Sequence, residues 1–308
     1  MTSVPPPGSL PAWAHPVPPP DRPEVPHGIV EAPPADGEAG TEVTRLWKPW
    51  TGPVALLAGL AAALVGGILV AVLGIVGGSD ISDPSPGVTN GSTFVQDFCF
   101  IGAAVLFARL AARPRPEHFG LRATRLWPAV GWIALAYVAF IAFTAAFSAL
   151  VGSDAQDTKA LNSLGVHDGP VLLVLAALLV CVMAPIAEEL LFRGYMFPAL
   201  RNWRGIWPAA IITGLIFGAI HAGSTPVQFL VPLAVFGFAL CLLYVRTGSL
   251  YPCMALHAIN NAIAFSVTQH WLAWQVLILI VSSLVVLAGV MTLVRRVAGP
   301  EPTVARPA

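Results

Sequence analysis

From Trp50 onward the chain alternates long apolar runs with short polar breaks. A helix needs about 20 residues to cross the hydrocarbon core of a bilayer. Eight runs approach that length: 52–77, 94–112, 127–150, 170–198, 206–222, 229–245, 251–268 and 271–294. The fifth to seventh are short, and the breaks around them hold Pro226, Pro232, Gly248 and Pro252. Irregular backbone there must be buried in protein, because lipid cannot satisfy free N–H and C=O groups. The pattern predicts an all-α fold, a polytopic membrane helix bundle of about eight transmembrane helices.

The first 46 residues have a different character. Twelve prolines fall between Pro5 and Pro34, and the 46 residues hold six acids and two arginines. Such a segment cannot bury enough apolar surface to offset its chain entropy, so 1–46 is expected to be a disordered acidic tail. Its Pro5–Pro7 and Pro16–Pro20 clusters suit either docking on an aromatic groove or a solvated spacer, and no partner follows from them. The membrane domain is expected over 47–296, with a short tail at 297–308.

Composition sharpens this picture. Of the 308 residues 56% are hydrophobic and only 10% charged, against about a quarter charged in soluble domains. That excludes an ordinary soluble enzyme. The zero formal net charge gives no electrostatic ground for a nucleic-acid partner. Cys99, Cys181, Cys241 and Cys253 are scattered without Cys-x-x-Cys spacing. They read as small buried hydrophobes, and neither a disulfide framework nor a thiolate metal site is expected.

The basic residues set an orientation. Arg45 and Lys48 precede the first run, Arg109–Arg125 separate the second and third, Arg201 and Arg204 follow the fourth, Arg246 the sixth, and Arg295 and Arg296 the eighth. With eight spans all of these lie on one side, and the opposite loops hold Asp80, Asp83, Asp154, Asp157, Asp168 and only Lys159. The positive-inside rule then predicts a multi-pass protein of the inner (plasma) membrane with both termini cytoplasmic. No convincing internal repeat is visible, which weighs against an inverted-repeat transporter.

Several polar residues interrupt the apolar runs. Glu188, Glu189 and Arg193 fall in the fourth, Phe217 and His221 in the fifth, and His257, Asn260 and Asn261 in the seventh. Glu189 and Arg193 are four apart on one helical stripe and can pair, whereas Glu188, about 100° round the helix, has no intrahelical partner. Phe217 shares a face with His221, and His257 with Asn261. Intramembrane ionisable groups are costly and mark function. The alternatives are interfacial residues closing a short fourth helix, or His/Asn pairs cross-linking helices.

The set suits hydrolysis. A carboxylate and an imidazole can deprotonate water, while a second imidazole and a carboxamide can donate to a tetrahedral oxyanion. No Gly-x-Ser-x-Gly elbow, Gly-rich phosphate loop or His-Glu-x-x-His helix is present. Glu188, His221 and His257 also have the ligand types of a zinc site, so metal-free water activation and zinc ligation both stand. Treated as straight rods, the fifth and seventh helices set His221 deeper than His257 by roughly 13 Å. Both can reach Glu188 only if the helices tilt or start at different depths.

At these residues the chain resembles the CAAX prenyl protease type 2, or bacteriocin-processing (CPBP, Abi), membrane protease family. The family pattern is Glu-Glu-x-x-x-Arg, then Phe-x-x-x-His, then His-x-x-x-Asn. This chain has Glu188–Arg193, Phe217–His221 and His257–Asn261, intact and in order, with the likeness covering about 127–268. The resemblance implies a glutamate-dependent intramembrane endopeptidase without a cofactor. In it Glu188 and His221 act on water, His257 and Asn261 stabilise the oxyanion, and Glu189, Arg193 and Phe217 support them. It also implies a membrane-embedded or membrane-proximal peptide or protein substrate. A zinc-dependent variant, a non-proteolytic immunity or scaffold protein on the same fold, and a proton-relaying transporter are the competing readings. Eukaryotic members of the family trim prenylated proteins. The Ala-, Gly-, Val- and Arg-rich composition here reads as a high-GC bacterial protein, so the resemblance does not set the substrate.

Overall fold

The computed structural model describes residues 46–151 and 159–299. The Pro-rich tail up to residue 45, the acids Asp154 and Asp157, and the chain from residue 300 lie outside the described residues. Within them the protein is helical, with an isolated bridge between Ala222 and Thr225 and no strand. The helices are α1 (Thr51–Val76), α2 (Pro86–Arg109), α3 (Leu126–Val151), the short α4 (Lys159–Ser163), α5 (Pro170–Arg204), α6 (Ile206–Ala219), α7 (Val227–Thr247), α8 (Tyr251–Thr268) and α9 (Ala273–Ala298).

Every apolar run expected to be a span is therefore helical, but six helices are long and apolar enough to cross a membrane: α1, α2, α3, α5, α7 and α9. By length and apolarity alone, the exact count of eight is not confirmed among the described residues. α6 has 14 residues, which extend about 21 Å against a hydrocarbon thickness of about 30 Å. α8 is 18 residues long and carries His257, Asn260 and Asn261 on its inner turns. Both bury much of their surface against other helices. α2 begins eight residues before the expected position 94. Thr89, Asn90, Ser92 and Thr93 make its first turns too polar for a hydropathy reading, while Pro86 at the first helical position favours the start.

α5 is the axis of the bundle. All residues from Pro185 to Leu200 are buried, the charged Glu188, Glu189 and Arg193 among them. α1, by contrast, exposes Leu57, Leu64, Leu69 and Leu73, an outer surface suited to lipid. The chain is thus a multi-pass membrane protein by its helices.

α6 and α7 approach closely because glycines line their contact. A Cβ on Gly218 would sit 2.5 Å from the Leu230 carbonyl oxygen and 2.9 Å from the Ala234 nitrogen. One on Gly214 would sit 2.6 Å from the Ala234 carbonyl oxygen. These are backbone atoms and cannot rotate away, so the small residues are required by the packing. Gly218→Ala is expected to push the helices apart and destabilise the protein by about 1–3 kcal/mol. An unchanged melting temperature in detergent would contradict this packing.

The basic loops gather at one end of the bundle. Arg122 Nε donates to the Gly248 carbonyl at 2.6 Å, Ser249 Oγ to the Arg122 carbonyl at 2.6 Å, and the Leu250 N–H to the Gly120 carbonyl at 2.7 Å. Trp47 packs on His118, Phe119 and Tyr195, with ring centroids 6.3, 5.9 and 5.0 Å apart, and its carbonyl accepts from Asn202. Gly120 has φ +81°, and Tyr244 ring atoms lie 2.6 Å from where its Cβ would be, so only glycine fits this junction.

Candidate active site

α5 is not a uniform helix. It widens into π turns at Leu179–Met183 and Phe192–Met196, on either side of the α-helical Ala184–Leu191 that carries both glutamates. In the first π turn the Ala184 N–H donates to the Leu179 carbonyl, five residues back. Residue 185 in the same register would donate to Val180, but it is proline and has no N–H. The Val180 carbonyl instead accepts from Asn261 Nδ2 at 2.9 Å. A proline-induced break in α5 is thereby closed by a side chain of α8. One amide hydrogen of Asn261 is spent in this way and the second is not. Its Oδ1 accepts from Asn260 Nδ2 at 3.4 Å.

Glu189 and Arg193 form the pair expected from their spacing. Arg193 Nη1 and Glu189 Oε1 are 2.9 Å apart, and both side chains are fully buried. Arg193 Nη2 donates to the Gly237 carbonyl on α7 at 2.9 Å, and its guanidinium carbon lies 4.5 Å from the centre of the Phe217 ring on α6. Glu189 Oε1 also accepts from His257 Nδ1 on α8 at 2.8 Å. One ion pair therefore ties α5 to α6, α7 and α8. A carboxylate can only accept, so the hydrogen between them belongs to His257 Nδ1. That fixes the ring and turns Nε2 towards Glu188, where it lies 3.8 Å from Oε2, beyond direct hydrogen-bond length.

Glu188 itself is 7% exposed, and its Oε2 has no hydrogen-bond partner. The imidazole set against it is that of His257. His221 lies in the turn just past α6, partly exposed, with Nδ1 2.7 Å from the Phe217 carbonyl oxygen. That carbonyl can only accept, so Nδ1 carries the hydrogen and Nε2 is left as an acceptor or base. Phe217 is the common neighbour of both histidines. Its ring centre is 5.0 Å from that of His221 and 5.8 Å from that of His257, and Phe236 closes on the other side of His257 at 5.6 Å. The two histidines thus flank one aromatic ring, although they come from α8 and from the turn after α6.

Among the described residues no three His, Cys, Asp or Glu side chains stand together as a set able to hold a metal ion. His257 Nδ1 is taken by Glu189 and His221 Nδ1 by a carbonyl, so in both rings Nε2 is the nitrogen left to act, as a base or as a ligand. One further carboxyl belongs to this region and was not singled out from the sequence. Asp97 on α2 is 1% exposed and lies within electrostatic reach of Glu188. A lone acid in the apolar stretch Phe94–Phe100 was the available signal.

Comparison with known proteins agrees with the motif reading. Residues 170–263 match the family described as Rce1-like, type II CAAX prenyl endopeptidase. The match contains all three motifs, and it is narrower than the likeness expected over 127–268. Among curated proteins, the chain is 26% identical over 111 residues to a Bacillus subtilis (strain 168) protein named "Putative membrane peptidase YdiL", covering 36% of this chain and 42% of that one. It is 33% identical over 87 residues to an uncharacterized 24.3 kDa protein of Escherichia coli, covering 27% and 40%. The matched stretch is thus well under half the length of each relative. No solved structure matches.

Proposed function

We propose that this protein is an intramembrane endopeptidase that hydrolyses peptide bonds of membrane-embedded or membrane-proximal peptides. The observation that carries this reading is the arrangement at α5. Glu188 is buried with its Oε2 unpartnered, beside an imidazole that is itself oriented by Oε1 of the arginine-paired Glu189. A group kept for packing alone would have its hydrogen bonds completed. A base, its neighbouring imidazole and an orienting carboxylate are what acid–base catalysis requires.

In this reading Glu188 takes a proton from water as the oxygen adds to the scissile carbonyl. His221, with Nε2 unspent, assists by sharing the proton that Glu188 takes up. The second amide hydrogen of Asn261 would donate to the developing oxyanion, and His257 would donate there from Nε2 in its doubly protonated form, with Nδ1–H kept on Glu189. The proton held by Glu188 passes to the leaving amine as the C–N bond breaks. A scaffold reading accounts for the Glu189–Arg193–His257 cross-link but leaves Glu188 without a purpose. The test is purified protein in detergent incubated with a library of short membrane-proximal peptides. Mass spectrometry should find new peptide termini that are absent with Glu188→Gln. Their absence from the wild type across the library would overturn the peptidase reading.

The orientation follows from charge. The end bearing Lys48, Arg113, Arg122 and Arg204 would face the cytoplasm of the plasma membrane. Single cysteines placed at 113–122 should then resist a membrane-impermeant thiol reagent in intact cells, while those at Asp80–Asp83 should react. The reverse pattern would invert the topology.

A further inference from the structure

The bundle holds one carboxyl that the proposed chemistry leaves idle. Asp97 lies on the buried stripe of α2 with Asn90, Ala104 and Ala108, while Phe94 and Phe98 on the same helix are exposed. Asn90 makes a structural tie, since its amide donates to the Pro86 carbonyl at 2.7 Å and, between elements, to the Leu164 carbonyl at 2.8 Å. Asp97 makes none. Neither of its carboxyl oxygens has a hydrogen-bond partner. α2 packs directly on the α5 turn that carries Glu188, whose Oε2 is equally without a partner. Two buried acids that lack donors and lie within electrostatic reach of each other are costly in a membrane protein and repel when both are charged. Selection for stability alone would replace either one.

We propose that Asp97 and Glu188 act as a carboxyl pair, with Asp97 the positioning residue that holds the hydrolytic water against Glu188. Water has two hydrogens, and two acceptors that each take one leave its lone pairs directed at the substrate carbonyl. The hydrogen on Glu188 is the one transferred as the C–O bond forms, and it goes to the leaving amine when the C–N bond breaks. The hydrogen on the Asp97 side stays with the oxygen throughout, so Asp97 gains and loses no proton over the cycle. This assignment rests on the peptidase reading for its role in catalysis, whereas the pairing of the two carboxyls rests on the packing of α2 against the Glu188 turn, on their buried unpartnered oxygens and on their electrostatic contact.

The test is a double-mutant cycle of Asp97→Asn and Glu188→Gln, read first as melting temperature in detergent. Neither single substitution should lower it, and the second should add less than it does alone, because either one relieves the same repulsion. Additive effects, or a clear fall in melting temperature with Asp97→Asn, would overturn the pairing. In the peptide assay, Asp97→Asn keeps one acceptor and Asp97→Leu keeps none. Thus kcat should fall at least tenfold in Asp97→Asn and further in Asp97→Leu, with KM within about twofold of wild type. A residue that merely packs would instead lose activity in step with melting temperature. A non-additive cycle in a protein that cleaves no peptide would sink the peptidase reading while leaving the pair in place. An additive cycle sinks the pair whatever the activity.

Discussion

Glu188→Gln is expected to reduce peptide cleavage by about 10²- to 10⁴-fold, the usual worth of a positioned general base, while leaving the fold intact. Glutamine preserves the shape of the side chain and removes only its ability to take a proton. The fold should tolerate the change because Glu188 Oε2 accepts no hydrogen bond from the protein, and the nearest imidazole nitrogen is 3.8 Å away. Removing an unpaired buried acid leaves no cation stranded, since Arg193 is neutralised by Glu189. Melting temperature should therefore stay at or slightly above that of wild type. Full activity in Glu188→Gln would remove this residue from the chemistry, and with it the assignment of the neighbouring histidine.

Much of this site could be read from spacing, and the reasons it stops there are physical. The Glu189–Arg193 pair is local to one helix, so a four-residue interval is enough to find it. The remaining contacts of Glu189 and Arg193 join helices far apart in sequence, and periodicity carries no information about them. That His257 reaches both glutamates, through opposite ring nitrogens, depends on how α8 is set against α5. α6 was read as running through His221, whereas it ends at Ala219 and leaves the histidine in a turn, which is part of why straight rods misjudged its depth.

The π turn before Pro185 follows in principle from the proline, but its partner, Asn261, could be found only from the packed structure. Asp97 escaped because a hydropathy window averages one acid into an apolar run. The six long spans were legible because lipid imposes both length and apolarity. α8 is largely shielded by protein, so neither constraint applies to it with the same force, while α6 is short but still exposes Trp207, Ile211 and Leu215 on its outer face.

The largest loss of stability should come from separating Glu189 and Arg193. Both are fully buried, and either one left alone is an uncompensated charge in the centre of the bundle. Breaking such a pair costs about 3–5 kcal/mol. Glu189→Gln strands the guanidinium and also weakens the acceptor that fixes His257 Nδ1. Arg193→Met strands the carboxylate and removes the tie to the Gly237 carbonyl. Each single variant should therefore melt far below wild type and lose activity with its fold, unlike Glu188→Gln.

The combined variant distinguishes a charge effect from lost packing. Glu189→Gln with Arg193→Met leaves no buried charge at the pair, keeps an acceptor for His257 in the glutamine carbonyl, and fills the space beside Phe217 with a flexible apolar chain. Replacing a buried ion pair by neutral residues of similar volume is often nearly neutral, so the double variant should recover more than half of the stability lost by either single one. If the two losses simply add, the pair is not what holds α5 to its neighbours. Should stability return without activity, the ion pair has a second task that neutral residues cannot perform, which is to hold the His257 ring with enough charge behind it for Nε2 to serve the site beside Glu188.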